Sequence, residues 1–419
     1  MKTKTKFITV AITLIMATGI GVRSYAQNTL ATLQDCINTA ISNNLSLKAS
    51  RISTERATIL QKTAYSFEPT SIAFTQDPAP GSSPDNSFTI SQSFEFPTIY
   101  AKRHNVLKAE SQLEQIGYNI AQNEVIKEIA SNYYKLLYLK DVAGILAKQE
   151  VLYKELLALT KSKMDEGEAN RLDVIDAEKS LNDNAIKIYS TDIDITNTIA
   201  DLQRLLNTDN AIQPNEKDLP ILSFAEKDMA VISPSSPSVA YYDSKVNALE
   251  LNKSLQNSQF LPSFSLTLRH QMFIKGFNPY DQERERFEPG NFVGFEIGIA
   301  VPILFFEQKA NSEVAAKELQ IAQLEQADNQ MQLQKQYQMY VNEYKKAKFL
   351  LDHYLHTGLH HAHEIEELSD AMYKSGEITY LDNIHKLESA IDLRMEYVNA
   401  LNDYNQSVIM LHYICGTYN

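Results

Sequence analysis

Four stretches of this chain alternate apolar and polar residues with a period of two. In Ser263 to Phe273, Phe264, Leu266, Leu268 and Met272 fall on one face, and Ser263, Ser265, Thr267, Arg269 and Gln271 on the other. In Asn291 to Val301, Val293, Phe295, Ile297, Ile299 and Val301 oppose Gly294, Glu296, Gly298 and Ala300. Earlier, Ile72 and Phe74, then Phe88, Ile90, Phe94 and Phe96, oppose Thr89, Ser91, Ser93 and Glu95. This period predicts strands over about 70–76, 87–96, 263–273 and 291–301. Strands of roughly 9–11 residues with one apolar and one wet face have the length of a transmembrane β-barrel wall. A half-buried sheet alternates in the same way, but export and the scarcity of other strands favour the wall. Four strands do not close a barrel, since the smallest use about eight. The chain is therefore expected to oligomerise.

The rest of the pattern is helical. From Thr98 to Met164, and again from Ile303 to Lys374, no Pro interrupts a long run in which apolar residues recur at helical spacing. Some 65 residues at ~1.5 Å each span on the order of 100 Å. Return helices are predicted over Leu172–Leu206 and Leu381–His412, which makes two coiled-coil hairpins. Gly167 and Gly376 sit where each hairpin reverses, as helix-ending residues in the left-handed region.

The two halves repeat one another. Glu166 to Asp173 and Ser375 to Asp382 both fit Gly-Glu-x-x-x-Leu-Asp, and Glu68-Pro69 and Phe96-Pro97 find counterparts in Leu261-Pro262 and Val301-Pro302. The predicted organisation is a leader over 1–26, a first repeat over 27–210, a Pro- and Ser-rich linker over 211–237 and a second repeat over 238–419. The fold class is α+β with internal duplication.

The leader follows from Lys2, Lys4 and Lys6, the apolar stretch Phe7 to Ile20, and small residues at Ser24 and Ala26. That is a secretory signal peptide, too short to span a bilayer as a helix. If the exported chain enters a membrane, it does so as strands. The 419 residues carry a formal net charge of −13, and the leader holds four cations and no acid, so a chain beginning at Gln27 sits near −17. This balance excludes a nucleic-acid partner, which requires a basic face. Cys36 and Cys415 lie at opposite ends and pair only if the termini meet.

One local cluster bears on chemistry. His353, His356, His360, His361 and His363 are five of nine histidines. On an unbroken α-helix, positions 353, 356, 360 and 363 share an arc of about 80°. Imidazoles one turn apart suit Zn, Cu, Co or Ni, but a polar outer face is the preferred account of them. Glu367 stands where His-Glu-x-x-His needs its second ligand, and neither a Ser/His/Asp arrangement nor a phosphate-binding Gly loop is present. No enzyme activity and no cofactor are expected.

Leader, duplicated halves, paired strands and Gly-tipped hairpins together resemble the TolC family of outer-membrane efflux channels. The segment Leu30 to Ala57, with Asn43-Asn44 at its break, is similar to that family's first helical segment. The resemblance implies a homotrimer whose twelve strands form one barrel in outer-membrane lipid. Below it, the helices would form a periplasmic α-barrel that meets a periplasmic adaptor and an inner-membrane pump. It further implies that the tips, Glu166, Gly167, Glu168, Arg171, Ser375, Gly376, Glu377 and Thr379, meet the adaptor. Asp382 matches the first carboxylate that narrows the entrance in the family. His385 departs from the second, and Asp173 and Asp176 correspond in the first half. Arg171 is a candidate to pair with an acid there. The implied function is a passive exit duct for metal cations or drugs. The rival expectations are a type I protein-secretion duct and a periplasmic coiled-coil scaffold or adhesin.

Overall fold

The computed structural model describes residues 29–78, 84–224, 236–273 and 291–416; the predicted leader lies outside them. Strand β1 (Thr29–Ala31) leads into α1 (Leu33–Asn43) and α2 (Leu45–Leu60). The break between these helices is made by Asn44. Its side-chain oxygen accepts from the Ser46 and Leu47 amides at 2.9 and 3.1 Å, and its Nδ2 donates to the Leu205 carbonyl at 2.8 Å. One buried amide thus caps a helix and fixes it to the far end of another.

Strands β2 (Ser71–Pro78) and β3 (Pro84–Phe94) follow, then α3 (Pro97–Asp165) and its return α4 (Arg171–Leu206). Pro97 opens α3, where its missing N–H costs no hydrogen bond. After β4 (Ile212–Pro214) come α5 (Pro237–Ser258), β5 (Ser263–Phe273), β6 (Asn291–Ala300), α6 (Phe306–His353), α7 (Leu359–Ser375) and α8 (Tyr380–Cys415).

The hairpins pack as the heptad pattern requires. On α4, Ala177, Asn184, Thr191, Thr198 and Leu205 recur every seven residues and are buried, with Val174 and Leu202 on the adjoining seam. On α8, buried Ile384, Val398 and Asn405 and half-buried Ile391 follow the same period beside Leu401 and Val408. A period of seven, below two full turns, is that of a left-handed supercoil.

The second descending helix is not the single run expected from Ile303 to Lys374. It begins at Phe306 and is interrupted by a π turn over Tyr354–Gly358. There the Leu359 amide bonds the Tyr354 carbonyl, five residues back. Gly358 permits this, because a Cβ there would lie 2.8 Å from the Tyr354 ring. Counting the turn, the run holds segments of 48, five and 17 residues against 69 in α3.

The largest core lies midway, where the chain ends converge. Strand β1 pairs in parallel with β4. Tyr133 Oη sits 2.9 Å from the Ala31 carbonyl and against Glu216. Burial first, then Glu216, pushes that phenol above its usual range. Cys36 and Cys415 share this core as buried thiols, so the ends meet without a disulfide. Burial raises the Cys36 thiol to about 11. Residues 219–224 strap across the helices. Buried Asn405 accepts from the Leu222 amide at 3.0 Å and donates to the Pro220 carbonyl at 2.7 Å. The Leu219 amide bonds Asp141 at 3.3 Å, and the Phe224 ring lies 5.1 Å from His412. Among the described residues, no helix is long and apolar enough to cross a membrane.

Candidate channel wall and hairpin tips

Strands β2, β3, β5 and β6 form one antiparallel sheet in that order. Its register aligns the predicted faces across all four strands. Ile72 stands opposite Ile90, Ile90 opposite Leu268, and Leu268 opposite Phe295. The next row is Ser71, Ser91, Thr267 and Glu296. Apolar rows alternate with polar rows because neighbouring residues of a strand point to opposite faces.

Among the described residues, most of the apolar face is left uncovered. Val293 is 76% exposed, Phe295 74% and Ile297 68%. A patch of this extent in water marks an interaction surface. The outer edges of β2 and β6 have no strand partner among the described residues. These two strands run in opposite directions, so β6 of one copy can pair antiparallel with β2 of the next and propagate the sheet. On the polar face, Gly298 lies across from Ser265, whose Oγ would be 2.4 Å from an added Cβ.

The two tips are the same device built twice. Gly167 and Gly376 each adopt a φ of 79°. The Gly167 amide bonds the Met164 carbonyl at 3.1 Å and the Glu168 amide bonds Lys163 at 2.8 Å. The Gly376 and Glu377 amides repeat this onto Tyr373 and Met372 at 3.1 and 2.9 Å. Both are Schellman closures. A capping box then starts each return helix. Asn170 accepts from the Asp173 amide at 3.2 Å while Asp173 accepts from the Asn170 amide at 2.8 Å. Thr379 and Asp382 do likewise at 3.1 and 3.2 Å. The Thr379 hydroxyl and amide together hold the Asp382 carboxyl below the usual carboxylate range. The repeated Gly-Glu-x-x-x-Leu-Asp motif is therefore, first, a reversal followed by a cap.

The structure places Glu166, Gly167, Glu168 and Arg171 on one exposed tip, and Ser375, Gly376, Glu377 and Thr379 on the other. Asp173, Asp176, Asp382 and His385 follow on exposed faces of the return helices. Arg171 does meet an acid, Glu178 at 3.7 Å, which Lys161 approaches at 3.5 Å. His385 lies 3.5 Å from Glu388.

The histidines do not share one uninterrupted helix. His353 ends α6, His356 lies in the π turn, and His360 and His363 belong to α7. The turn shifts the phase of everything after it, so the arc worked out for a continuous α-helix does not apply. His360 sits 3.6 Å from Glu364 and His363 3.4 Å from Glu367, all exposed. Among the described residues, no three His, Cys, Asp or Glu side chains group as a metal site.

Polar ties also hold helices together, both between the hairpins and within the second one. The Tyr153 hydroxyl donates to Glu388 at 2.5 Å and that of Tyr380 to Glu155 at 3.0 Å, both joining α8 to α3. Arg394 binds Glu366 through two bonds of 3.0 and 2.7 Å, where the α8 heptad calls for an apolar residue. The abundance of Tyr, 22 residues, and Arg394 on a heptad position were the available signals.

Residues 44–208 match the family model of outer membrane efflux proteins. No curated protein matches the chain. Solved structures with the same fold include CusC, described as forming a transmembrane channel, at 14% identity and TM-score 0.72, covering 94% of this chain and 95% of that one. The Campylobacter jejuni CmeC outer membrane channel aligns at 16% identity and TM-score 0.72, with coverage of 99% and 94%. The Vibrio cholerae outer membrane protein VceC aligns at 13% identity and TM-score 0.73, with coverage of 92% and 96%.

Proposed function

We propose that this chain, whose residues 44–208 match the outer membrane efflux protein family, belongs to that family and is one third of an exit duct in the outer membrane. One observation carries the reading. A four-stranded sheet whose apolar face is largely uncovered and whose two edges are unpaired among the described residues is joined to helical runs on the order of 100 Å long. Lipid satisfies the face, and sister copies satisfy the edges. Three copies supply twelve strands, enough to enclose an aqueous passage lined by the polar rows. The hairpins then continue that passage into the periplasm.

The duct itself is passive. An inner-membrane pump supplies the energy, and a periplasmic adaptor docks at the tips around Gly167 and Gly376, where exposed Glu166, Glu168 and Glu377 offer charge to a partner. Three copies of Asp382 near the second tip place like charges around one opening, favouring cations. The exposed histidines of α7 and the acidic balance lean toward divalent metal cations as cargo, with drugs as the second class.

The test is twofold. Mature protein reconstituted in planar bilayers should conduct, and Asp382→Asn, which keeps an oxygen for the cap while removing the charge, should lower cation preference. Protein that never inserts defeats the duct; unchanged selectivity defeats only the entrance role of Asp382. A deletion strain sensitive to Zn, Cu, Co or Ni identifies metal cargo, and sensitivity to drugs alone rules it out. Joint replacement of His353, His356, His360 and His363 by Ala should lower metal tolerance if those side chains take part.

A further inference from the structure

Two neighbouring polar rows of the sheet each carry one charge among small side chains. The first row is Ser71, Ser91, Thr267 and Glu296, and the second is Ala73, Thr89, Arg269 and Gly294. Glu296 and Arg269 are both exposed, and among the described residues neither forms an ion pair. They stand diagonally across β5 and β6, because Glu296 faces Thr267, two residues before Arg269. Long side chains can meet at that spacing, roughly 7–8 Å between Cβ atoms. Here they do not, and each charge is left to the space in front of the sheet. Gly294, directly across from Arg269, has no neighbouring atom within 4 Å of where a Cβ would stand. The guanidinium is therefore neither covered nor paired from that side.

The two charges also differ in depth. Ser263 pairs with Ala300 at the end of the sheet nearest the helices. The Glu296 row lies closer to that end, and the Arg269 row is two residues, about 7 Å, further out. Twelve strands about 4.8 Å apart and tilted by about 40° close at a backbone radius of roughly 12 Å. Glu and Arg side chains projecting inward from that radius bring their charges within about 8 Å of the axis, one screening length at physiological ionic strength. Their field then reaches across the whole passage.

We propose that three copies of Glu296 and three of Arg269 form two stacked rings of opposite charge inside the barrel, a filter for small ions separate from the hairpin tips. This rests on reading the polar face as the lining of a closed passage. The order of the rings gives the filter a direction. With the helical side positive, cations arrive past Glu296 and anions past Arg269, and both accumulate between the rings. The opposite voltage empties that space. Current is thus larger when cations move outward.

The local potential is read with thiol reagents, since both native thiols, Cys36 and Cys415, are buried. Full-length mature Thr267→Cys and Thr89→Cys, one in each row, are inserted into phosphatidylcholine vesicles. Each is labelled with a cationic and with an anionic thiosulfonate of similar size. The rings predict that Thr267→Cys reacts faster with the cation and Thr89→Cys faster with the anion. Adding Glu296→Gln to the first and Arg269→Gln to the second should remove each preference, as should 1 M salt, where screening acts within about 3 Å. Preferences that survive both neutralisations arise elsewhere and overturn the proposal. So does a failure of either thiol to react in inserted protein. In planar bilayers under a KCl gradient, Glu296→Gln should shift the reversal potential toward chloride and Arg269→Gln toward potassium. Shifts of one sign, or none, contradict the filter while leaving the wall intact. Phe295→Cys, on the opposite face, should stay unlabelled; if it reacts as fast as Thr267→Cys, the membrane-wall reading itself fails.

Discussion

Placing a charge at Phe295 separates a membrane wall from a half-finished soluble sheet. Phe295 is the fifth residue of the ten in β6, pairs with Leu268 and is 74% exposed in a single chain. Thr267, one position before Leu268, belongs to the polar row beside Glu296. An Arg at the bilayer midplane on the lipid face of a barrel costs about 2–4 kcal/mol, whereas lumen positions tolerate polar change. In a threefold assembly the Phe295→Arg penalty is counted three times, on the order of 6–12 kcal/mol. That approaches the roughly 5–15 kcal/mol that holds a typical domain together. Phe295→Arg should therefore abolish the folded oligomer in outer membranes, and Thr267→Arg should leave it intact. The assay is gel mobility of unheated against heated outer-membrane extracts, with the soluble fraction run alongside. If Phe295→Arg yields more soluble, stable protein and Thr267→Arg does not differ from it, the apolar face is not lipid-facing.

Other consequences are local. Asn405→Ala removes both bonds to the strap at 220–222 and leaves two backbone groups unpaired, at roughly 1–3 kcal/mol each. Hydrogen exchange over residues 219–224 should accelerate while the distant tips stay unchanged. Gly376→Ala places a Cβ at a φ of 79°. That costs about 1–2 kcal/mol and should raise exchange only around the second tip. Thr379→Ala removes the hydroxyl that does most to hold the Asp382 carboxyl below its ordinary range. A depressed carboxyl stabilises the fold above its unfolded pKa, and this is lost as pH falls through the folded value. Without Thr379 the folded value rises toward the ordinary one, so the start of α8 should loosen at less acidic pH. Carboxyl-labelled NMR titration in detergent would show no change if the cap were absent.

The sheet was legible because its information is local: alternate residues face opposite ways, and Val293 to Val301 state this without reference to any partner. The hairpins were legible for a similar reason, since Gly167 and Gly376 sit at the ends of uninterrupted periodic runs. The Asn44 break was visible as Asn43-Asn44, although its bond to Leu205 lies 161 residues away. The π turn was not visible. A one-residue change of phase needs no Pro, and Gly358 was its only mark. Asp173 and Asp382 match entrance charges by resemblance, yet their spacing from Asn170 and Thr379 is also that of a capping box, and the structure shows that use. Ties such as Tyr153 to Glu388 join residues 235 apart, and no periodicity in either helix announces them.

The central claim is that one chain supplies a fraction of a wall which only sister chains complete. Native mass measurement of the mature protein, extracted from outer membranes in mild detergent, tests this directly. The account predicts three chains per particle and no stable species of lower order. A single chain, monodisperse and soluble once detergent is removed, would contradict it.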